Sequence, residues 1–331
     1  MSVLRTGASG VSRFVDGALE VSVVGGFGST GIRLRRRMFG WDGLPRLDGR
    51  HVVITGATSG IGLAAAREMA GLGAAVSIVG RDVSRTETTA AEIGRESGAE
   101  VDAFIADLSL LSDARRVADE IAGGGRAVDV LVHNAGALSP QYLSTEEGFE
   151  ATYASQVLGQ HVLTSRLLPA LSRGASPRVI VVSSGGMYAE KLDLDSVQMA
   201  ADDYDGVRAY ARAKRAQVTL TEQWARRFPD SPIGFHSMHP GWADTRGVQE
   251  SLPTFRRLTR PILRTAHEGA DTIVWLAGVD PIPAPSGTFW LDRAPRRTVR
   301  YPGTSPDPGA PEALWDLVCQ QTGEVPALVG D

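Results

Sequence analysis

Short apolar runs alternate with longer amphipathic stretches over most of the chain. His51–Ile54, Val76–Val79, Val101–Ile105, Val128–Val132, Arg178–Val182, Ile233–Met238 and Thr288–Leu291 read as buried strands. Between them, apolar positions recur every three or four residues. This spacing predicts helices over Leu63–Leu72, Ser84–Glu96, Ser112–Ile121, Phe149–Leu171, Tyr210–Phe228 and Glu268–Leu276. Strands alternating with helices give an α/β fold: a doubly wound parallel sheet of the Rossmann type, covered by helices on both faces. Crossover handedness fixes that winding. Ligands of such sheets lie beyond the carboxyl ends of the strands, so the informative residues are those that follow each strand.

The flanks break the pattern. Residues 1–47 are expected to form an extension, 48–295 a single α/β domain, and 296–331 a tail. Phe14 to Trp41 begins acidic, turns apolar and ends in Arg33, Arg35, Arg36 and Arg37. Acids precede the apolar stretch and the basic cluster follows it, which is not signal-peptide order. Two readings stand: helices packed on the domain, or a peripheral membrane contact with the arginines at phosphate level. Gly26-Phe27-Gly28-Ser29-Thr30-Gly31 matches G-x-G-x-x-G but follows no clear strand, so it is read as a decoy. In the tail, a proline-rich strap from Tyr301 to Pro311 leads to a short amphipathic helix, Glu312–Gln320, covering either the pocket or a partner subunit of a homo-oligomer.

Composition narrows the function classes. The 331 residues are 43% hydrophobic and 22% charged with a net charge of −4, which gives no case for nucleic-acid binding. One cysteine, Cys319, excludes an internal disulfide and fits a reducing, cytoplasmic setting. His236 and His239 are a lone close pair, so no metal site is expected. No run of about 20 apolar residues spans a bilayer.

The strongest chemical signal is Thr55–Gly62, TGATSGIG, between the first strand and the first helix of the domain. Gly56 permits a tight turn, Gly60 a close backbone approach to a pyrophosphate, and Gly62 close helix packing. The anion then meets the free N–H groups of the helix start. After the second strand, Gly80 stands where an acid would bind ribose hydroxyls, and Arg81 follows. Its guanidinium suits a 2′-phosphate, favouring NADP(H) over NAD, unless Arg81 merely pairs with Asp82 or Glu87. Asp107-Leu108 ends the third strand as an adenine contact or as a turn acid. Asn134-Ala135-Gly136 ends the fourth. Tyr210 and Lys214 share a helix face at i, i+4, where an ammonium favours phenolate.

TGATSGIG, HNAG at 133–136, VSS at 182–184, YARAK at 210–214 and HPGWADT at 239–245 together resemble the short-chain dehydrogenase/reductase family over roughly residues 48 to 295. VSSGGMYAEKLD and SMHPGWADTRGV look like its orphan subgroup called dehydrogenase/reductase member twelve, next to retinol-dehydrogenase-like members. The resemblance implies that Gly56, Ser59, Gly60, Ile61 and Gly62 form the cofactor turn, and that Arg81 selects NADP. It makes Asp107 the adenine contact and Asn134 the brace of the cofactor region. Ser184 holds the substrate carbonyl oxygen, Tyr210 is the general acid/base, and Lys214 lowers its pKa and binds ribose. Pro240, Gly241 and Thr245 hold the carboxamide. One departure stands out: Gln156 occupies the place of the family's usual Asn, whose role is to bend the helix and hold a water linking the lysine to solvent. The expected activity is NADP(H)-dependent interconversion of a carbonyl and an alcohol. Apolar side chains between Ala243 and Thr265 suit an apolar substrate, unless they belong to a lid helix whose arginines are solvated. The competing reading is a dinucleotide-binding protein without turnover.

Overall fold

The order of strands in the sheet is β3-β2-β1-β4-β5-β6-β7-β8, with β1 (His51–Thr55), β2 (Ala75–Gly80), β3 (Val101–Ile105), β4 (Val130–His133), β5 (Arg178–Val182), β6 (Gly234–Met238), β7 (Phe289–Leu291) and β8 (Ala294–Arg296). The structure is a computed structural model and describes residues 10–244, 256–257 and 259–327. Pairing is parallel through β7; only β8 runs antiparallel, closing a hairpin with β7. Every residue of β1, β4 and β5 is buried, because helices cover both faces.

The helices are α1 (Gly10–Val21), α2 (Val23–Phe27), α3 (Ser29–Met38), α4 (Gly60–Gly71), α5 (Val83–Ser97) and α6 (Leu111–Gly123). A seventh, α7, starts at Ala151–Tyr153, passes through a π-helical segment Ala154–Leu158 and continues as Gly159–Leu171. Then come α8 (Gly206–Arg227), α9 (Ala266–Gly278) and α10 (Ala310–Thr322). One face of the sheet packs on α4, α5 and α9 through Ala66, Met69, Ile93 and Ile273. The other packs on α6, α7 and α8 through Val117, Leu163 and Leu220.

Residues 149–171 are read from sequence as one regular helix, but the chain takes a wider turn in it. Likewise α8 begins four residues before Tyr210, since Asp205 caps it by accepting from Arg208 N–H at 2.9 Å. The C-terminal helix packs on the domain through Trp315. Trp315 packs edge-on against Trp224 of α8 (5.0 Å) and His161 of α7 (5.3 Å), adding to the core on that side. Among the described residues no helix is long and apolar enough to cross a membrane.

The extension lies on the domain. Arg33 pairs with Glu268 at 2.7 Å, Arg36 with Asp271 at 3.1 Å, and Arg35 is buried between Asp16 and Asp292. Trp41 sits under the Arg293 guanidinium. The packed-helix alternative therefore accounts for Arg33, Arg35, Arg36 and Trp41. Phe14 on α1 remains exposed.

Candidate active site

The glycine turn is built by a hydrogen-bonded cross-brace between the ends of β1 and β4. Thr55 Oγ1 accepts from the N–H of Asn134 (3.1 Å) and of Ala135 (2.9 Å). Asn134 Nδ2 donates back to the carbonyls of Thr55 (3.0 Å) and Gly56 (3.1 Å). A Cβ on Gly62 would stand 2.3 Å from that amide nitrogen and 2.5 Å from the Gly56 carbonyl. Gly62 thus makes room for the Asn134 brace, a more specific reason than the helix packing expected from the sequence. Ser59 stands at the N-cap of α4 but makes no capping hydrogen bond, so no Ser59 oxygen occupies the first N–H groups of the helix. Those groups and the helix dipole suit an anion. Ile61 meets α9 at Gly269, fixing the helix start from the other side.

At the end of β2, a Cβ on Gly80 would lie 2.4 Å from Thr86 Oγ1, so the place of a ribose-binding acid is filled by the next helix. Arg81 is exposed and pairs with neither Asp82 nor Glu87 among the described residues. Asp82 instead caps α5, accepting from Arg85 N–H at 2.8 Å. Asp107 behaves as the turn acid: its Oδ1 accepts from both the N–H (2.9 Å) and the hydroxyl (2.7 Å) of Ser109. Leu108 beside it is buried.

The reactive groups meet where β5, α7 and α8 converge. Ser184 caps the short 3-10 turn Gly185–Ala189, accepting from Gly186 N–H at 3.2 Å, with its hydroxyl on the Tyr210 side of the site. Lys214 is 2% exposed; its Nζ donates to the Val182 carbonyl at 2.9 Å and lies 5.2 Å from the centre of the Tyr210 ring. Burial pushes the Tyr210 phenol up to about 12, with the Ser184 hydroxyl opposing, and burial pushes the Lys214 ammonium down to about 7. Desolvation is the larger cause at both groups in the protein without cofactor. Moving one proton from the Tyr210 oxygen to Nζ would leave the net charge of this pair unchanged.

Gln156 lies in the π-helical segment of α7. Its Nε2 donates to the Ala137 carbonyl at 2.9 Å, and its Oε1 is buried without a partner among the described residues. A Cβ on Gly136 would be 2.9 Å from that oxygen and 3.0 Å from Lys214 Nζ. The longer amide thus still faces the lysine across Gly136.

Comparison with known proteins agrees with this geometry. The family model described as short chain dehydrogenase matches residues 50–254. A Bos taurus protein named dehydrogenase/reductase SDR family member 12 is 42% identical over 276 residues, covering 82% of this chain and 86% of the relative. The chain belongs to the short-chain dehydrogenase/reductase family. Human retinol dehydrogenase 12 is 33% identical, with 84% and 88% covered. A crystal structure of an uncharacterized protein from Mycobacterium paratuberculosis superposes with a TM-score of 0.68 at 32% identity, covering 86% of this chain and 97% of that one. A Burkholderia cenocepacia short chain dehydrogenase in complex with NADP gives 0.60 at 25% identity, with 74% and 96% covered. As a member of this family the protein is an oxidoreductase of the carbonyl/alcohol couple that uses a nicotinamide dinucleotide.

In this short-chain dehydrogenase/reductase, the segment after β6 rests on residues that the sequence did not single out. Gly241 has φ +75°, and a Cβ there would meet the Arg264 guanidinium at 2.4 Å and the Phe27 carbonyl at 2.5 Å. Arg264 is 1% exposed and bonds to Pro240, to the turn at Gly26–Gly28 and to buried Asp292, so it is not a solvated lid arginine. Arg256, by contrast, holds Asp244 at 2.7 Å. Thr245 and most of the apolar residues expected to shape a lid lie outside the described residues.

Proposed function

We propose that the protein is an NADP(H)-dependent oxidoreductase that interconverts a carbonyl and a primary or secondary alcohol on an apolar substrate, with Tyr210 as proton donor and acceptor. The observation that carries it is the placing of Lys214 Nζ 5.2 Å from the centre of the Tyr210 ring, beside the Val182–Ser184 strand end and across Gly136 from Gln156, in the strand-end crevice that also holds the glycine cradle. The cradle fits a dinucleotide: close-approach glycines, an uncapped helix start and an exposed Arg81 whose guanidinium would suit a 2′-phosphate. Gly56, Ser59, Gly60, Ile61 and Gly62 would hold the pyrophosphate, with Asn134, Ala135 and Gly136 beneath the ribose, and Pro240, Gly241 and Thr245 at the carboxamide. When bound, the nicotinamide supplies or takes up the hydride.

The residues of this chain do the rest. Ser184 and Tyr210 donate hydrogen bonds to the substrate oxygen as charge grows on it, and Tyr210 delivers the proton. Lys214, charged once an anion or phenolate develops beside it, stabilises the resulting phenolate. A water beside Gly136 would be within hydrogen-bond reach of both Lys214 and Gln156, returning the proton to solvent. The identity to a retinol dehydrogenase supports an apolar alcohol or aldehyde.

A second reading, dinucleotide binding without turnover, is favoured by the raised Tyr210 phenol. Purified protein mixed with NADPH and a panel of apolar aldehydes and ketones separates the two. Oxidation of NADPH with any of them supports the enzyme; tight binding with none supports the second reading.

A further inference from the structure

The glycine motif at 26–31 follows no strand, lying instead between α2 and α3, and it sits against the active site. Phe27 forms the centre of that contact. A Cβ on Gly185, next to Ser184, would touch its ring at 3.0 Å, and the ring stacks edge-on to His239 at 4.5 Å. The carbonyl of Phe27 accepts the N–H of Trp242 at 2.9 Å. The flanking carbonyls of Gly26 and Gly28 accept from Arg264 at 3.1 and 3.2 Å, and Arg264 in turn donates to the Pro240 carbonyl at 3.1 Å. One tripeptide therefore holds both the segment after β5, which carries Ser184, and the segment after β6, which carries Pro240 and Gly241.

Charge locks the tripeptide in place. Asp292 is buried at a left-handed position (φ +53°) at the end of β7 and takes Arg264 on both oxygens, at 2.6 and 2.9 Å, and Arg35 on Oδ2 at 2.6 Å. Arg35 also donates to the Gly26 carbonyl at 2.8 Å and to Asp16 at 2.7 Å. Two guanidinium groups on one buried carboxylate bind strongly only while all three are present. A non-glycine residue held at positive φ persists only where its surroundings over-determine it, as this pair of arginines does.

We propose that the N-terminal extension is part of the active site: Phe27, Arg35 and Asp292 act as positioning residues that set the cofactor segment Pro240–Gly241 against the cradle and Ser184 against Tyr210. This rests on the proposed cofactor reading. The extension gates the nicotinamide end of the dinucleotide and leaves the adenine end, 2′-phosphate included, to Arg81 and the glycine turn.

The test uses full-length protein and two probes, NADPH and adenosine 2′,5′-bisphosphate, the second reaching only the adenine end. Phe27→Ala and Arg35→Met should each weaken NADPH binding by about tenfold while the bisphosphate affinity stays within about twofold. Arg35→Lys should recover part of the loss, and Phe14→Ala on exposed α1 should change neither. Phe27→Ala removes no charge, so it tests the inference even where Arg35→Met fails to fold. Equal weakening of both probes in the folded variants, or of neither, would overturn it. Wild-type protein that binds neither probe would instead remove the cofactor reading beneath it.

Discussion

Lys214 directs its Nζ to the carbonyl oxygen of Val182, 2.9 Å away, from the turn of α8 below Tyr210. That carbonyl is a partner for an ammonium but not a counter-ion, so burial decides the titration and pushes the lysine from 10.5 down to about 7.

A stability signature follows from that shift. The unfolded chain holds this proton up to about pH 10.5 and the folded chain only to about pH 7, so in between the unfolded state binds more protons. Stability contributed by the neutral lysine is full above 10.5, falls as the pH drops towards 7, and is lost below it. The gap is worth roughly 5 kcal/mol. Urea midpoints of the wild type should therefore rise from pH 7 to pH 10. Lys214→Met should flatten that rise and exceed the wild type at pH 7, while abolishing turnover.

Arg81 is exposed and pairs with no carboxylate among the described residues, so its removal should leave the fold intact. Arg81→Ala should raise the KM for NADPH by about ten- to a hundredfold, the worth of one charge-assisted contact, and leave that for NADH almost unchanged. Initial rates with the two cofactors measure this directly.

Gly62→Ala places a methyl group 2.3 Å from Asn134 Nδ2. Either the amide leaves the carbonyls of Thr55 and Gly56 or α4 shifts away from the turn. Both outcomes damage the cradle, and overpacking of this kind costs about 1–3 kcal/mol. The expected result is a lowered melting temperature together with loss of NADPH binding, read by calorimetry and fluorescence titration.

Gln156 gives the means to test the relay. Its backbone carbonyl accepts from Gln217 Nε2 at 2.8 Å and is untouched by a side-chain change. Gln156→Leu should therefore keep the NADPH affinity while lowering kcat by about tenfold or more. Unchanged kcat would mean that protons reach Lys214 by another route.

The sheet was legible because strands buried on both faces are continuous apolar runs. Arg178–Val182, buried throughout, is bounded as expected, and so is the half-buried edge strand Val101–Ile105. The motif residues around Thr55, Ser184 and Tyr210 were legible because each follows a strand or opens a helix. What was hidden depends on contacts distant in sequence. Arg264 looks like any lid arginine until Asp292 and the Gly26–Gly28 carbonyls surround it, and a buried charge carries no local pattern. β8 was missed since Ala-Pro-Arg has no strand signature and pairs only by virtue of the β7 hairpin. The wide turn at Ala154–Leu158 leaves no trace in the periodicity. The raised phenol of Tyr210 was unforeseen for the same reason: helical spacing shows that Lys214 is near, while desolvation is a property of the packed interior.

The central claim is that Tyr210 moves the proton. The direct measurement is the rate of NADPH oxidation with an accepted apolar carbonyl, for wild type and for Tyr210→Phe, at saturating cofactor. Phenylalanine keeps the ring beside Lys214 and removes only the hydroxyl. The account predicts a fall in kcat of about a hundredfold to ten-thousandfold, the usual worth of a placed general acid, with NADPH affinity retained. Turnover by Tyr210→Phe equal to that of the wild type would contradict it.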